Sequence, residues 1–153
     1  FQHSCTTSRV MEIGSELVRR GAVLEKIRRT IFDKQSIPAL KLWGTAFQRA
    51  RMNPKNGMLV TVVTNQDIET CGASVDDIYQ VASILSTVPE TRFSLVLSER
   101  EGGVLRASMR AMEHQDVDVC KIARMFGGGG HRLASGFEVK GKIVETGDGW
   151  MVV

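Results

Sequence analysis

The sequence predicts an α/β fold, a mixed β-sheet flanked by helices, with a helical appendage at its N-terminus. Apolar residues recur at helical spacing as far as about residue 52. From residue 58 onward, short Val- and Leu-rich runs alternate with helical segments and turn residues. A run of four glycines and a histidine then separates the last helical pattern from the last strands. This order of elements is typical of a sheet with helices packed on it.

The first third of the chain has the spacing of three helices, which we place at residues 8–20, 23–32 and 38–52. Trp43 and Phe47 lie on one side of the third helix and are expected in the core. The first two helices share an apolar stripe that consists of Val10, Ile13, Leu17, Ile27 and Ile31. We expect these helices either to fray or to bury the stripe against a neighbour or a second copy of the chain, so a homodimer is one option.

The rest of the chain, from residue 58 onward, has the pattern of a mixed sheet. Strands are predicted at 58–64, 92–99, 104–110 and 136–139, helices at 65–71, 74–86 and 118–126, and a final hairpin within 142–153. Ser74 and Asp77 have capping-box spacing, and Asp118 is a candidate helix cap. A turn at 53–57 is the expected boundary between the helical part and the sheet.

Composition narrows the class of protein. The chain has 153 residues, 42% of them hydrophobic and 24% charged, as in an ordinary globular domain. No apolar run approaches the ~20 residues that a membrane span needs. Three cysteines without a CxxC pair favour reduced thiols and a cytoplasmic setting over disulfides or zinc. Residues 19–55 carry ten Lys or Arg against two acids, which fits either a guide for a polyanion or a solvated helix face.

The segment Gly127-Gly128-Gly129-Gly130-His131 is the main candidate site. Glycine N–H groups can converge on an anion such as phosphate, and a glycine backbone lets a ligand approach closely. His131 can donate to a phosphate oxygen or stack on a base. Gly136 follows within the next strand. The alternative is that Gly127 only ends a helix and the other glycines form a connection.

Arginines of the preceding strand could complete an anion site. Arg110 ends that strand two residues after Ser108, and its planar guanidinium suits phosphate. A surface salt bridge would explain Arg110 equally well. Arg106 lies four residues earlier, so it could sit on the same face as Arg110 and serve as a weaker second contact. The His114-Gln115-Asp116-Val117-Asp118 segment has the spacing of a metal loop, but a polar loop in which Asp118 caps a helix is the simpler interpretation.

Several of these motifs resemble a known family. GGGGHRLASGF is similar to the GGGGHxxAAGF motif of the DHH-associated domain, the substrate-binding half of DHH-family phosphoesterases, with Ser135 in place of an alanine. GGVLRASMRA resembles the Gly-x-x-x-x-Ser-x-Arg-Ser stretch of the family, with Ala111 in place of the last serine. FQHSCTTSRV resembles the end of the DHH catalytic domain, with Cys5 replacing asparagine and Ser8 replacing proline. The similarity is greatest to bifunctional oligoribonucleases that also act on 3′-phosphoadenosine 5′-phosphate.

The resemblance implies a domain plan and an activity. Residues 1–35 would be the end of a DHH catalytic domain, 36–56 a connecting helix and linker, and 57–153 the DHH-associated domain. The parent protein would be a manganese-dependent phosphoesterase of short oligonucleotides or 3′,5′-bisphosphate nucleosides, with its metal ligands in a catalytic domain outside this chain. Residues that match the motifs are expected to bind substrate without cleaving it: Ser108, Arg110, Gly127, Gly128, Gly129, Gly130, His131 and Gly136. The same type of domain also occurs as a non-catalytic RNA-binding module, which is the alternative function.

Overall fold

The computed structural model describes residues 6–31, 35–147 and 149–153. These residues separate into two compact units, divided between Ser36 and Ile37. The first unit contains helices α1 (Ser8–Arg19) and α2 (Leu24–Ile31). The Thr7 hydroxyl accepts a hydrogen bond from the N–H of Val10 and so caps α1. Apolar side chains of this unit are 40–59% exposed: Val10, Met11, Ile13, Leu17, Val18, Val23, Leu24 and Ile27. The side chain of Ile31, which we placed on the same stripe, lies outside the described part.

The second unit is built on a six-stranded sheet in the order β1-β2-β3-β4-β6-β5. Its strands are β1 (Arg51–Asn53), β2 (Met58–Val63), β3 (Phe93–Arg100), β4 (Val104–Arg110), β5 (Gly129–His131) and β6 (Ala134–Lys140). The β2–β3 pair is parallel, and the other neighbours are antiparallel. A separate hairpin is formed by β7 (Ile143–Thr146) and β8 (Gly149–Val152). The predicted mixed α/β fold is confirmed.

Four helices accompany this sheet: α3 (Ile37–Gln48), α4 (Asn65–Cys71), α5 (Tyr79–Leu85) and α6 (Val119–Met125). The predicted extension of α3 to Met52 is wrong, because Arg51–Asn53 forms the edge strand β1 against β2. A short 3-10 turn, Val75–Ile78, precedes α5, and the predicted capping box between Ser74 and Asp77 is present there. Helical spacing continues through Met52, but backbone pairing with the Val-rich β2 decides the conformation.

The two sides of the sheet are covered differently. On one side, α3 and α5 pack against β2 and β3, around Leu42, Trp43, Leu59, Val81 and Val96. On the other side, α6 packs through Val119 and Ala123 against Phe93, Met109 and Phe137 of the central strands. The β7–β8 hairpin adds Ile143 to a third cluster with Val62 and Leu105. Trp43 is buried and Phe47 partly buried, as expected from their spacing.

Candidate ligand-binding face

Side chains of β4 alternate between the core and an open side. Leu105, Ala107 and Met109 are buried, whereas Val104 and the residues between these three remain partly exposed. Because α6 packs on the side of Ala107, Met109 and Phe137, the opposite side of β6 and β5 has no described helix over it. We call that side of β4, β6 and β5 the open face. Its residues are Arg106, Ser108, Arg110, Gly129, His131, Ala134, Gly136 and Glu138.

The strand register arranges the open face in rows. Arg110 pairs with Ala134, and Ala134 pairs with His131. In the next row, Ser108 pairs with Gly136 and Gly136 with Gly129. Directly opposite residues of a sheet project to the same side. Five of the eight residues that we predicted to bind substrate thus lie on one surface, and glycine and alanine form its floor.

That surface brings together Ser108, Arg110, Gly129, His131 and Gly136 from the set predicted to bind substrate. Gly130 lies in the same edge strand but alternates away from the open face, and its carbonyl accepts a hydrogen bond from Cys120 Sγ at 3.1 Å. Gly127 and Gly128 precede the strand and close the end of α6.

Arg110 lacks an acidic partner among the described residues. Its Nη1 donates to the carbonyl of the adjacent Met109 at 2.9 Å. The surface salt bridge that the sequence left open is therefore absent from the described part of the chain. Burial lowers the pKa of the Arg110 guanidinium, because desolvation disfavours the charged form. A half-buried cation without a counter-charge favours an anionic ligand.

Arg106 occupies the far end of the open face. Its Nη1 lies 3.1 Å from Glu138 Oε1, in an exposed ion pair. Its Nη2 lies 3.5 Å from the position that a Cβ would take at Gly136, so the guanidinium extends over that glycine. The predicted placement of Arg106 on the same side as Arg110 is confirmed. Sequence reasoning missed Glu138, although its period-two spacing from Ala134 and Gly136 would have placed it there.

The first two glycines of the 127–130 segment end helix α6. Gly127 has a φ of 74° and donates to Arg124, as expected of a glycine that ends a helix. Gly128 donates to the carbonyl of Ala123. Two of the four N–H groups are thus engaged, so the expected nest of glycine N–H groups is wrong for these two. The helix-ending role of Gly127, which we had considered as the alternative, is confirmed.

Packing accounts for Gly128 and Gly130 but not for Gly129. A Cβ on Gly128 would lie 2.2 Å from the carbonyl oxygen of Gly136. A Cβ on Gly130 would lie 2.6 Å from the carbonyl oxygen of Ala134, and its φ is 138°. A Cβ on Gly129 meets nothing within 4 Å, and its φ is not positive. Neither packing nor backbone conformation requires a glycine at position 129.

The His114–Asp118 segment makes structural contacts. Asp118 caps α6 by accepting from the N–H groups of Cys120 and Lys121, as predicted. Gln115 donates to the carbonyls of Ser86 and Thr91 and accepts from Met112 N–H. Asp116 pairs with Arg132 at 2.8 Å. No group of three or more His, Cys, Asp or Glu side chains in the described part could hold a metal ion, so these residues do not fit a manganese site.

The comparisons with known proteins identify the family. The family model for the DHHA1 domain matches residues 55–146. This chain therefore belongs to the DHHA1, or DHH-associated, domain family. None of the described helices is long and apolar enough to span a membrane.

Two solved structures share the fold, and a third matches with a lower score. An exopolyphosphatase-related protein from Bacteroides fragilis is 22% identical, with a TM-score of 0.82 over 90% of this chain and 40% of its own. A pGpG-specific phosphodiesterase from Vibrio cholerae is 10% identical, with a TM-score of 0.51 over 75% of this chain and 36% of its own. The C-Ala domain of Aquifex aeolicus alanyl-tRNA synthetase is 14% identical, with a TM-score of 0.42 over 54% of this chain and 75% of its own. This chain spans less than half the length of the first two proteins.

Proposed function

We propose that this chain is the substrate-binding part of a manganese-dependent phosphoesterase that hydrolyses short oligonucleotides or 3′,5′-bisphosphate nucleosides. The open face would hold a phosphate group of the substrate away from the scissile bond. Arg110 would supply the charge, and Ser108 and His131 the further hydrogen bonds. Manganese would be held by residues other than those described here, because these do not fit a metal site.

The observation that carries this proposal is the environment of Arg110. Its guanidinium is half-buried and has no described carboxylate partner. Its strand β4 is bordered by α5 on one side and by β6, over which no described helix lies on this side of the sheet, on the other. Neither Ser108 nor His131 uses its side chain in a hydrogen bond with the described residues, so both can serve a ligand. Charge-assisted bonds from arginine to phosphate are stronger than bonds between neutral groups, and arginine can make two in parallel.

The floor of the open face supports a close approach of the ligand. Gly129 has no side chain and Ala134 contributes only a methyl group, whereas the guanidinium of Arg106 extends over Gly136. A ligand can therefore contact the backbone of β5 and β6 directly. Since neither packing nor φ requires a glycine at position 129, access for a ligand is the remaining physical reason for it.

Titration calorimetry at low salt tests the proposal with a nucleoside 5′-monophosphate and a 5′-phosphorylated dinucleotide. Arg110→Ala should weaken binding of both by about ten- to a hundredfold, or roughly 1.5–3 kcal/mol. Arg124→Ala removes an exposed arginine of α6 and is the matched control for charge. If Arg110→Ala binds like the control variant, the proposed site is wrong. Tight binding of RNA by a full-length parent that hydrolyses no phosphoester would support the alternative, an RNA-binding module.

A further inference from the structure

The open face carries two arginines in different electrostatic states. Arg110 has no described acidic partner, whereas Arg106 is paired with Glu138 at 3.1 Å. Both arginines project from β4 to the same side, and their Cα atoms are about 13 Å apart along the strand. The face therefore offers a phosphate one unpaired guanidinium at one end and one neutralised guanidinium at the other.

Further carboxylates border the Arg106 end. Glu138 lines a groove that also includes Glu69, Glu99, Glu101 and the basic side chain of Arg100, whose Nη1 donates to the carbonyl of Glu99. The carboxylate of Glu99 already accepts hydrogen bonds from the N–H groups of Asn65 and Ile143. Glu138, by contrast, is 55% exposed and directs its carboxylate at the guanidinium that extends over Gly136. A phosphate placed there would have to compete with a carboxylate of the chain itself.

We propose that Glu138 is a specificity-determining residue of the open face. By holding Arg106 in an ion pair over Gly136, it leaves Arg110 as the arginine that a phosphate can use, and it repels a second phosphate from the far end. The face then selects a ligand that presents one phosphate group to it rather than two, so the scissile phosphate of a 3′,5′-bisphosphate nucleoside would lie outside the open face. This inference rests on the proposed function, because it assumes that Arg110 binds a phosphate.

Two probes separate one-phosphate from two-phosphate binding: adenosine 5′-monophosphate and adenosine 3′,5′-bisphosphate, titrated at low salt. Glu138→Gln should tighten binding of the bisphosphate by about three- to tenfold and change that of the monophosphate less than about twofold. Because the gain comes from the freed Arg106, adding Arg106→Gln to Glu138→Gln should remove it. Glu90→Gln, at an exposed carboxylate before β3, makes the same change in net charge away from the open face and should have no such effect.

Each outcome of these titrations either supports or overturns the proposed role of Glu138. An equal gain for both probes, or a gain that persists in the double variant, would show a general field effect and overturn the role of Glu138. An unchanged ratio of the two affinities in Glu138→Gln would overturn it as well. The Arg110→Ala variant, measured in the same experiment, distinguishes a failure of the inference about Glu138 from a failure of the proposed function. Suppose that Arg110→Ala loses monophosphate binding and that the ratio of the two affinities is unchanged in Glu138→Gln. Arg110 then binds a phosphate as proposed, and only the selectivity role of Glu138 is wrong.

Discussion

Arg110 and His131 face the same side of the sheet from strands two places apart, with only the methyl group of Ala134 between them. The register that pairs Ala134 with both residues fixes this relationship. Adjacent strands are about 4.8 Å apart, so the two Cα atoms are separated by about 10 Å. Long side chains on either side of a gap of this width can contact the same phosphate group.

If both residues contact one phosphate, their contributions should be coupled. The double variant Arg110→Ala/His131→Ala should lose less affinity for a nucleoside 5′-monophosphate than the two single losses combined, by about 0.5–3 kcal/mol. Calorimetry on the two single variants and on the double variant checks this. Additive penalties would mean that the two residues bind separate groups.

Substitutions within the glycine segment should separate binding from folding. Gly129→Val should abolish nucleotide binding without lowering the melting temperature, since its side chain would enter open space on an extended strand. Gly130→Ala should destabilise the fold, because its Cβ would lie 2.6 Å from the carbonyl oxygen of Ala134 at a φ of 138°. Thermal unfolding and calorimetry on both variants test this. Binding by Gly129→Val at wild-type affinity would restrict the glycines to packing and turns.

Ser135→Ala should stabilise the protein. The Ser135 hydroxyl is buried and has no hydrogen-bond partner in the described part of the chain. Removing a buried, unpaired hydroxyl should raise the free energy of unfolding by about 1 kcal/mol. Ser94→Ala is the matched control, because that hydroxyl donates to the carbonyl of Ala82 at 2.6 Å. Chemical denaturation should show a loss for Ser94→Ala, and a loss of equal size for Ser135→Ala would contradict the prediction.

The Arg49–Asp67 ion pair should make stability depend on pH. Burial acts to raise the pKa of Asp67, but hydrogen bonds from Arg49 and Thr64 outweigh it and hold that pKa below 3.8. A carboxyl whose pKa is lower in the folded state stabilises the protein above its unfolded pKa, and this contribution disappears as pH falls through the folded value. Asp67→Asn should thus cost about 1–3 kcal/mol at pH 7 and progressively less below pH 3.8.

Denaturation at a series of pH values checks the prediction for Asp67. Asp76→Asn, at an exposed aspartate, is the control and should differ little from the wild type at any pH. A constant difference between Asp67→Asn and the wild type from pH 7 to pH 2 would show that the ion pair does not set the pH dependence.

Local chemistry explains why much of the fold could be predicted from the sequence. Asp118 caps α6 and Ser74 forms its capping box with Asp77, because a capping group satisfies N–H groups of its own helix. Gly127 ends α6 for another local reason, because glycine readily adopts its φ of 74° and its N–H donates to the carbonyl of Arg124. Where a distant partner decided the conformation, prediction failed: Arg51–Asn53 is a strand because β2 lies beside it.

For the candidate site, the sequence by itself determined which residue types are available. Two arginines, a serine, a histidine and several glycines occur in motifs that suit an anion. Only the tertiary structure decided which of them share a surface, since the register of β4, β6 and β5 aligns Arg110 with His131 and Ser108 with Gly129. It also decided that the N–H group of Gly128 bonds to Ala123 rather than to a ligand, and that Glu138 pairs with Arg106. Pairing between strands joins residues distant in sequence, and its register depends on the buried side of the sheet rather than on any single motif.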